Sequence, residues 1–321
     1  MGIVVRLGTK NDTDALVEVD CSGVKKWYHY SREGRGHPTS YAKLKPWERV
    51  MHGGPWMDAS ALTEYWERID RLGIIPLVAE LNGKVVGHLD AISSDELPLG
   101  RFLYIDVLTV HKAYRRMGIA GTLIKKAERL ARREKAKLML VQPEEYEGPS
   151  GLTYRACGFE KAFDTFTLKA AVNLQEAPSD VSLVSIPQTQ QAPSRTHAML
   201  CGWYNIGAKM WDNGVNPYLD LLRAFSCSQL AFSVLTNKGI FLLHLRQDYF
   251  DHSTGILCLW APTSVDRKAL TRVFQSAKTV ASSLGMKKLT TTTIDKYSDL
   301  MRKAGFSLKS KGEPYLIKRL C

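Results

Sequence analysis

Apolar and polar positions along the chain fall into blocks whose period switches between two and about 3.6. Ile3–Leu7 reads as a short strand, and Asn11-Asp12 caps an amphipathic helix behind it. Pro76–Leu81 and Val85–Ile92 are strands around Asn82-Gly83, a pair that favours a two-residue hairpin turn. Phe102–Val110 is another strand. From Gly118 to Lys135 the apolar positions Leu123, Ala127, Leu130 and Ala131 recur at helical spacing. Lys137–Gln142 is a strand built on Leu-Met-Leu-Val. Ser150–Ala156 fits a short helix ended by Gly158, and Ala162–Leu168 a closing strand. Asp58–Leu72 reads as one helix with Leu62, Tyr65, Trp66 and Ile69 on one face.

The order then repeats. Residues 171–196 carry Pro, Gln and Ser, and read as a linker with a strand at Val181–Ile186. Arg195–Met210 and Pro217–Phe225 look helical. Gln229–Leu235 and Ile240–Arg246 form a second hairpin. Gly255–Trp260 is a strand, Asp266–Leu284 a helix, Lys288–Thr293 a strand, Tyr297–Ala304 a helix, and Tyr315–Leu320 a last strand. Tyr154-Arg-Ala-Cys-Gly-Phe159 is echoed by Met301-Arg-Lys-Ala-Gly-Phe306, so the chain reads as an internal repeat of about 150 residues. The expected class is α/β, with domains over 1–170 and 171–321. An insertion at 21–73 holds Trp27, Tyr28, Tyr30, Tyr41, Trp47, Trp56, Tyr65 and Trp66. Two uses are open for it: packing between the domains, which suits most of these side chains, or a pocket in which the π faces of Trp27, Tyr28, Tyr30, Trp47 and Trp56 take an aromatic or cationic acceptor.

Composition narrows the class further. A length of 321 residues suits two domains of roughly 100–200 residues each, and 45% hydrophobic residues suit a true core. No apolar run approaches the ~18 residues a membrane helix needs. The start, MGIVVRLGTKNDTD, lacks the layout of a signal peptide, and Arg6 stands where myristoylation favours Ser or Thr. Six scattered cysteines without a CxxC pair fit free thiols in a reducing cytosol, so a cytoplasmic protein is expected. The eight histidines show no metal-ligand spacing. Net charge is +12, of which +4 falls in 1–170 and +8 in 171–321. That balance favours anionic ligands, but the charges are dispersed, which argues against a nucleic-acid-binding face.

One segment carries chemistry. Leu103-Tyr-Ile-Asp-Val-Leu-Thr-Val110 is a strand, His111–Met117 a basic turn, and Gly118 opens a helix. Exposed amides at a helix start, and the positive end of its dipole, suit a phosphate. Gly118 and Ala120 keep side chains out of the way, and Arg115 and Arg116 add charge at the rim. There is no Gly-x-x-x-x-Gly-Lys-Ser/Thr run and no GxGxxG. Instead Arg115-Arg-Met-Gly-Ile-Ala120, after an Ile-Asp-x-Leu-x-Val strand and before Tyr-x-x-x-Gly-Phe, resembles the signature of the GNAT acetyltransferase superfamily. The resemblance covers residues 1–170 in motifs and 180–321 in element order.

It implies two tandem GNAT-like domains, each a mixed twisted sheet flanked by helices, and transfer of an acetyl group from acetyl-CoA to a primary amine. Arg115, Arg116, Met117, Gly118, Ile119, Ala120, Gly121 and Thr122 would hold the pyrophosphate. Leu108, Thr109 and Val110 would offer backbone groups to the pantetheine arm. Asp106 would assist amine deprotonation through water, since an ammonium has no lone pair. Tyr154 would protonate the departing thiolate, or at least hydrogen-bond its sulfur. Where the family often has Asn, this chain has Gln142, followed by Pro143 and the acidic Glu144, Glu145 and Glu147. Those carboxylates read either as a wall attracting a cationic substrate or as a solvated loop. Cys157 is read as a packed residue, not a nucleophile. The second half has Ala261-Pro-Thr-Ser-Val-Asp266 at the matching turn, no carboxylate in Gly255–Trp260, and Met301 in place of the tyrosine. It is expected to lack a productive CoA site. Other readings are an acyl-CoA-binding protein without turnover and a nucleic-acid-associated protein. The acceptor is not legible: a protein amine, a polyamine, an amino acid and an antibiotic all fit.

Overall fold

The computed structural model describes residues 2–31, 33–173, 178–186, 196–202, 227–262 and 266–320. Its strands are β1 (Ile3–Leu7), β2 (Trp27–Ser31), β3 (Gly34–Thr39), β4 (Ile74–Leu81), β5 (Lys84–Glu96), β6 (Gly100–Val110), β7 (Leu138–Val141), β8 (Glu160–Ala171), β9 (Ser182–Ser185), β10 (His197–Cys201), β11 (Gln229–Thr236), β12 (Gly239–Gln247), β13 (Thr254–Pro262), β14 (Lys288–Ile294) and β15 (Ser307–Arg319). The helices are α1 (Thr13–Cys21), α2 (Pro46–Val50), α3 (Ala59–Trp66), α4 (Ile69–Leu72), α5 (Ile119–Arg133), α6 (Pro149–Ala156), α7 (Arg267–Ser283) and α8 (Asp295–Lys303).

Local rules account for most boundaries. Asn82 and Gly83 both take positive φ, 53° and 76°, as a tight β4–β5 turn requires. Asp58 caps α3 by accepting from the amides of Ser60 and Ala61. The single helix expected over Asp58–Leu72 is broken after Trp66. Tyr65 is tied to Asp90 and Trp66 to Thr13, and these long-range anchors outweigh local helix propensity. The aromatic insertion contains an unexpected hairpin, β2–β3. Trp27 packs edge-on against Tyr41 and His52, and Tyr30 stacks on Phe250 of the second half.

Two expectations for the second half need correction or lie out of reach. Residues 197–201 form β10 instead of opening a helix over Arg195–Met210. A short apolar run such as Ala198-Met-Leu-Cys201 has no periodicity that separates a buried strand from a buried helix. The rest of that helix and the one at Pro217–Phe225 lie outside the described residues.

Among the described residues one sheet runs through both halves, in the order β1-β4-β5-β6-β7-β15-β8-β14-β13-β12-β11-β9, and β2-β3 stands apart from it. The two halves exchange their last strands. β15 enters the first half and pairs with β7 through Leu316↔Val141 to Arg319↔Leu138. β8 enters the second half and pairs with β14 through Lys288↔Ala171 to Ile294↔Thr165. The two exchanged strands pair antiparallel with each other at the centre. Hydrogen bonding is therefore continuous across residue 171. In the first half, α5 and α6 pack on one face of the sheet with Leu103, Ile105, Val141 and Leu316. The opposite face carries Leu16 of α1, with Trp56, Leu62 and Tyr65. In the second half α7 packs on Leu243, Leu245, Leu257 and Leu289.

Candidate functional site

The site begins with a defect in the sheet. Between β5 and β6, Asp90 pairs with Val107 and Ala91 with Ile105, so Asp106 is an extra residue in a β-bulge. On its other side β6 runs parallel to β7 only from Phe102↔Leu138 to Ile105↔Val141. β7 ends there, whereas β6 continues to Val110. The two strands part, and among the described residues no strand lies beside 106–110 on that side. Leu108, Thr109 and Val110 are half-buried and remain paired to β5 through Leu89, His88 and Gly87. The parting therefore presents one side of their backbone, the arrangement an extended amide-bearing arm needs. The carbonyl of Val110 accepts from Arg115 Nε at 3.2 Å.

The strand leads into the basic turn. Arg116 and Gly118 both adopt left-handed backbone, φ 68° and 78°. The first bond of the α5 ladder is Thr122 N–H to the Gly118 carbonyl, 3.0 Å. The amides of Ile119, Ala120 and Gly121 lie ahead of that ladder, and Gly118 has no side chain to cap them. Arg115, Arg116, Met117 and Gly118 are exposed, while Ile119 is buried and anchors the helix. A helix start with open amides, positive dipole end and two arginines is suited to an anion.

Tyr154 is 5% exposed and packs edge-on against Phe159 at 5.6 Å, on the α5 face of the sheet. Its hydroxyl has no hydrogen-bond partner among the described residues, and burial raises its pKa, keeping the phenol protonated. Asp106 is half-buried and sits beside Asp90, which belongs with the Trp56–Tyr65 face. The two residues expected to move protons thus belong to opposite faces of the sheet. Cys157 is half-buried, and burial pushes its thiol up, away from a nucleophilic thiolate.

The structure also shows polar groups that were not anticipated. Asp90 is 3% exposed and accepts from Trp56 Nε1 at 3.1 Å and Tyr65 Oη at 3.0 Å. His88, two residues earlier and also buried, lies 2.6 Å from Asp20. Burial opposes a charge on His88, but Asp20 and then Asp90 outweigh it, and its pKa is raised. The available signal was the polar pair at 88 and 90, which share one face of a strand in an otherwise apolar hairpin.

The loop after β7 differs from an acidic wall. Gln142 donates to the Glu313 carbonyl of β15 at 2.7 Å, so its side chain serves the strand exchange. Glu145 and Glu147 line a cavity of about 510 Å³, but Lys161 and Lys311 line it too, with Asp164 and Glu313. Glu147 pairs with Arg155 at 3.4 Å, and Glu144 is exposed and outside the cavity lining.

The second half has the same geometry, closed. β13 and β14 pair in parallel from Thr254↔Lys288 to Ile256↔Thr290 and then part. Here β10 occupies the parting. It pairs with β13 from His197↔Pro262 to Cys201↔Leu259 and is fastened to β14 by Gly202 N–H to Thr292 O and Thr293 Oγ1 to Leu200 O, both 2.6 Å. The start of α7 is capped by its own chain, Asp266 accepting from the Ala269 amide at 2.8 Å. A carboxylate there also repels an incoming anion.

Residues 41–159 match the sequence model of the acetyltransferase (GNAT) family. The chain carries a GNAT-family domain. The matched segment includes the bulge, the basic turn and α6. Among solved structures, a GCN5-related N-acetyltransferase from Anabaena variabilis is 11% identical, with a TM-score of 0.61 over 99% of this chain and 73% of that one. A GCN5-related N-acetyltransferase from Kribbella flavida is 12% identical, with a TM-score of 0.61 over 99% and 71%. At these identities the likeness establishes the fold, and it extends over both halves. No protein of curated function matches the sequence. Among the described residues, no helix is long and apolar enough to cross a membrane, and no group of three His, Cys, Asp or Glu side chains is placed to hold a metal ion.

Proposed function

We propose that this GNAT-family protein transfers an acetyl group from acetyl-CoA to a primary amine, at a single site in its first half. The observation that carries the reading is a β6–β7 parting that no described strand fills and an α5 start that no described side chain caps, beside a second copy in which both are blocked. Arg115 to Thr122 hold the pyrophosphate. Leu108, Thr109 and Val110 bind the pantetheine amides along the exposed edge of β6. Asp106 receives the proton of the acceptor's ammonium, directly or through water. The free amine attacks the thioester carbon, backbone amides stabilise the oxyanion, and Tyr154 protonates the leaving thiolate. A screen of amines with acetyl-CoA and thiol detection tests this reading. Acetyl-CoA binding without thiol release from any amine would make the protein a binding module instead.

Two further results follow. Titration calorimetry with acetyl-CoA should give one site per chain, because β10 fills the second parting; a stoichiometry of two would refute the assignment. Asp106→Asn should lower turnover at neutral pH by about 10²–10⁴-fold, the range for a positioned base, and should flatten the acid limb of the pH–rate profile. Acetyl-CoA affinity should stay near that of the parent. An unchanged profile removes Asp106 from the mechanism.

A further inference from the structure

Four successive amides lead from β6 into the basic turn, and each has a partner. His111 N–H donates to the Val86 carbonyl of β5 at 2.9 Å, and Tyr114 N–H to the His111 carbonyl at 2.9 Å. Ala113 N–H reaches His111 Nδ1 at 3.2 Å. Lys112 N–H donates to Ser22 Oγ at 2.9 Å. Of these partners, Ser22 is the side chain that comes from another element. It stands at the end of α1, where its own N–H donates to the Glu18 carbonyl at 3.0 Å. Its hydroxyl proton is committed to the Val19 carbonyl, 2.6 Å away, which leaves a lone pair for the Lys112 amide. We infer that the end of α1 sets the shape of the basic turn, with Ser22 the positioning residue and the Asp20–His88 pair its anchor.

The anchor lies one turn of chain away. Asp20 Oδ2 is 2.6 Å from His88 Nε2, and both side chains are buried. His88 stands on β5 opposite Thr109 of β6. The pair therefore ties the last turn of α1 to the two strands that deliver the chain to Lys112. On the exposed flank Glu18 meets Lys84 at 2.7 Å and approaches His111 Nε2 at 3.8 Å. Arg115 gives a further contact. A Cβ on Gly23 would stand 3.1 Å from Arg115 Nη2, so the guanidinium crosses the end of α1. The negative end of a helix dipole suits a cation there. Two left-handed residues, Arg116 and Gly118, follow before the amides of Ile119 to Gly121. A left-handed arginine persists only where its surroundings hold it, and α1 supplies that hold at Lys112 and Arg115.

The functional meaning rests on the acyl-CoA reading. Ser22 touches no ligand and takes part in no bond exchange. It acts through the Lys112 amide on where the amides of Ile119 to Gly121 stand, and so on how they meet a pyrophosphate.

The test begins without any ligand. In full-length protein followed by NMR, Ser22→Ala should quicken exchange of the Lys112 amide by about tenfold or more, the scale of one lost hydrogen bond. It should also shift the amide resonances of Gly118 and Ile119. Leu89 in β5 and Ala127 in α5 should keep their protection, which shows the fold intact. Acetyl-CoA affinity should fall roughly five- to tenfold. That loss should persist at high salt, because it comes from shape and not from an exposed charge. Ser22→Thr keeps a hydroxyl and should restore exchange and affinity to within about twofold of the parent. Where transfer is detected, Ser22→Ala should raise the acetyl-CoA KM and leave kcat unchanged. A Lys112 amide as protected in Ser22→Ala as in the parent overturns the inference. So do unmoved Gly118 and Ile119 resonances, a threonine variant no better than alanine, or a loss of affinity that fades with salt. If the parent fails to bind acetyl-CoA while Ser22→Ala still moves Gly118 and Ile119, the acyl-CoA reading falls and the positioning role stands.

Discussion

Leu316→Ala should destabilise the first half of the chain by about 2–5 kcal/mol, the range for truncating a buried leucine. Leu316 stands in the last strand, yet it is fully buried beside Leu103, Ile119, Leu123 and Tyr154, and pairs with Val141. Its loss therefore falls on the elements that frame the β6–β7 parting. Hydrogen exchange should quicken in peptides covering Leu138–Val141 and Ile119–Arg133. Leu243→Ala is the control, because Leu243 is equally buried but belongs to the core around α7. It should loosen 229–262 and leave α5 protected. Exchange in Leu316→Ala that quickens only beyond residue 227 would contradict the strand exchange. Leu316→Asp is expected not to fold at all, since it leaves an unpaired charge in the core.

Gly118→Val should weaken acetyl-CoA binding by at least about 2 kcal/mol, roughly thirtyfold in Kd. The cause is conformational. At φ 78° a β-branched residue is strained, so valine pulls the turn away from the shape that presents the Ile119, Ala120 and Gly121 amides. Nothing lies within 4 Å of the position a Cβ would take, so no clash inside the protein accounts for the loss. Arg115→Ala should cost less, because an exposed charge is screened by water and salt. Its effect should fade at high ionic strength, and that of Gly118→Val should persist. Circular dichroism must show both variants folded. A Gly118→Val protein that binds acetyl-CoA like the parent would remove the turn from the cofactor site.

What was legible in the sequence was local. The β4–β5 hairpin, α5 and the turn before it follow from patterns within about twenty residues, and the two-copy order from the recurrence of such patterns down the chain. The exchange of β8 and β15 was not legible, because a Leu-Ile-Lys strand end carries no mark of which neighbour it will join. The filled second parting was hidden for a similar reason: Ala198 to Cys201 is simply apolar, and its place depends on where β13 and β14 diverge. The candidate site divides the same way. Asp106 and the Arg115–Thr122 turn stand in one continuous motif. Asp90 and His88 read as polar positions of an ordinary alternating strand until Trp56 and Tyr65, supplied from the insertion, close over them.

The crossing of β15 into the first half bears on how the protein is made. A ribosome completes β7 and β8 long before it reaches Ser307. At 5–20 residues per second, the stretch between Ala171 and Ser307 takes roughly 7–30 s to synthesise. For that interval the nascent first half has every residue of its motif and no partner for the β7 edge, an exposed template for pairing with a neighbouring nascent chain. Translation speed over 172–306 should therefore affect how much of the chain folds, although the residues of the proposed acyl-CoA site are finished by position 159.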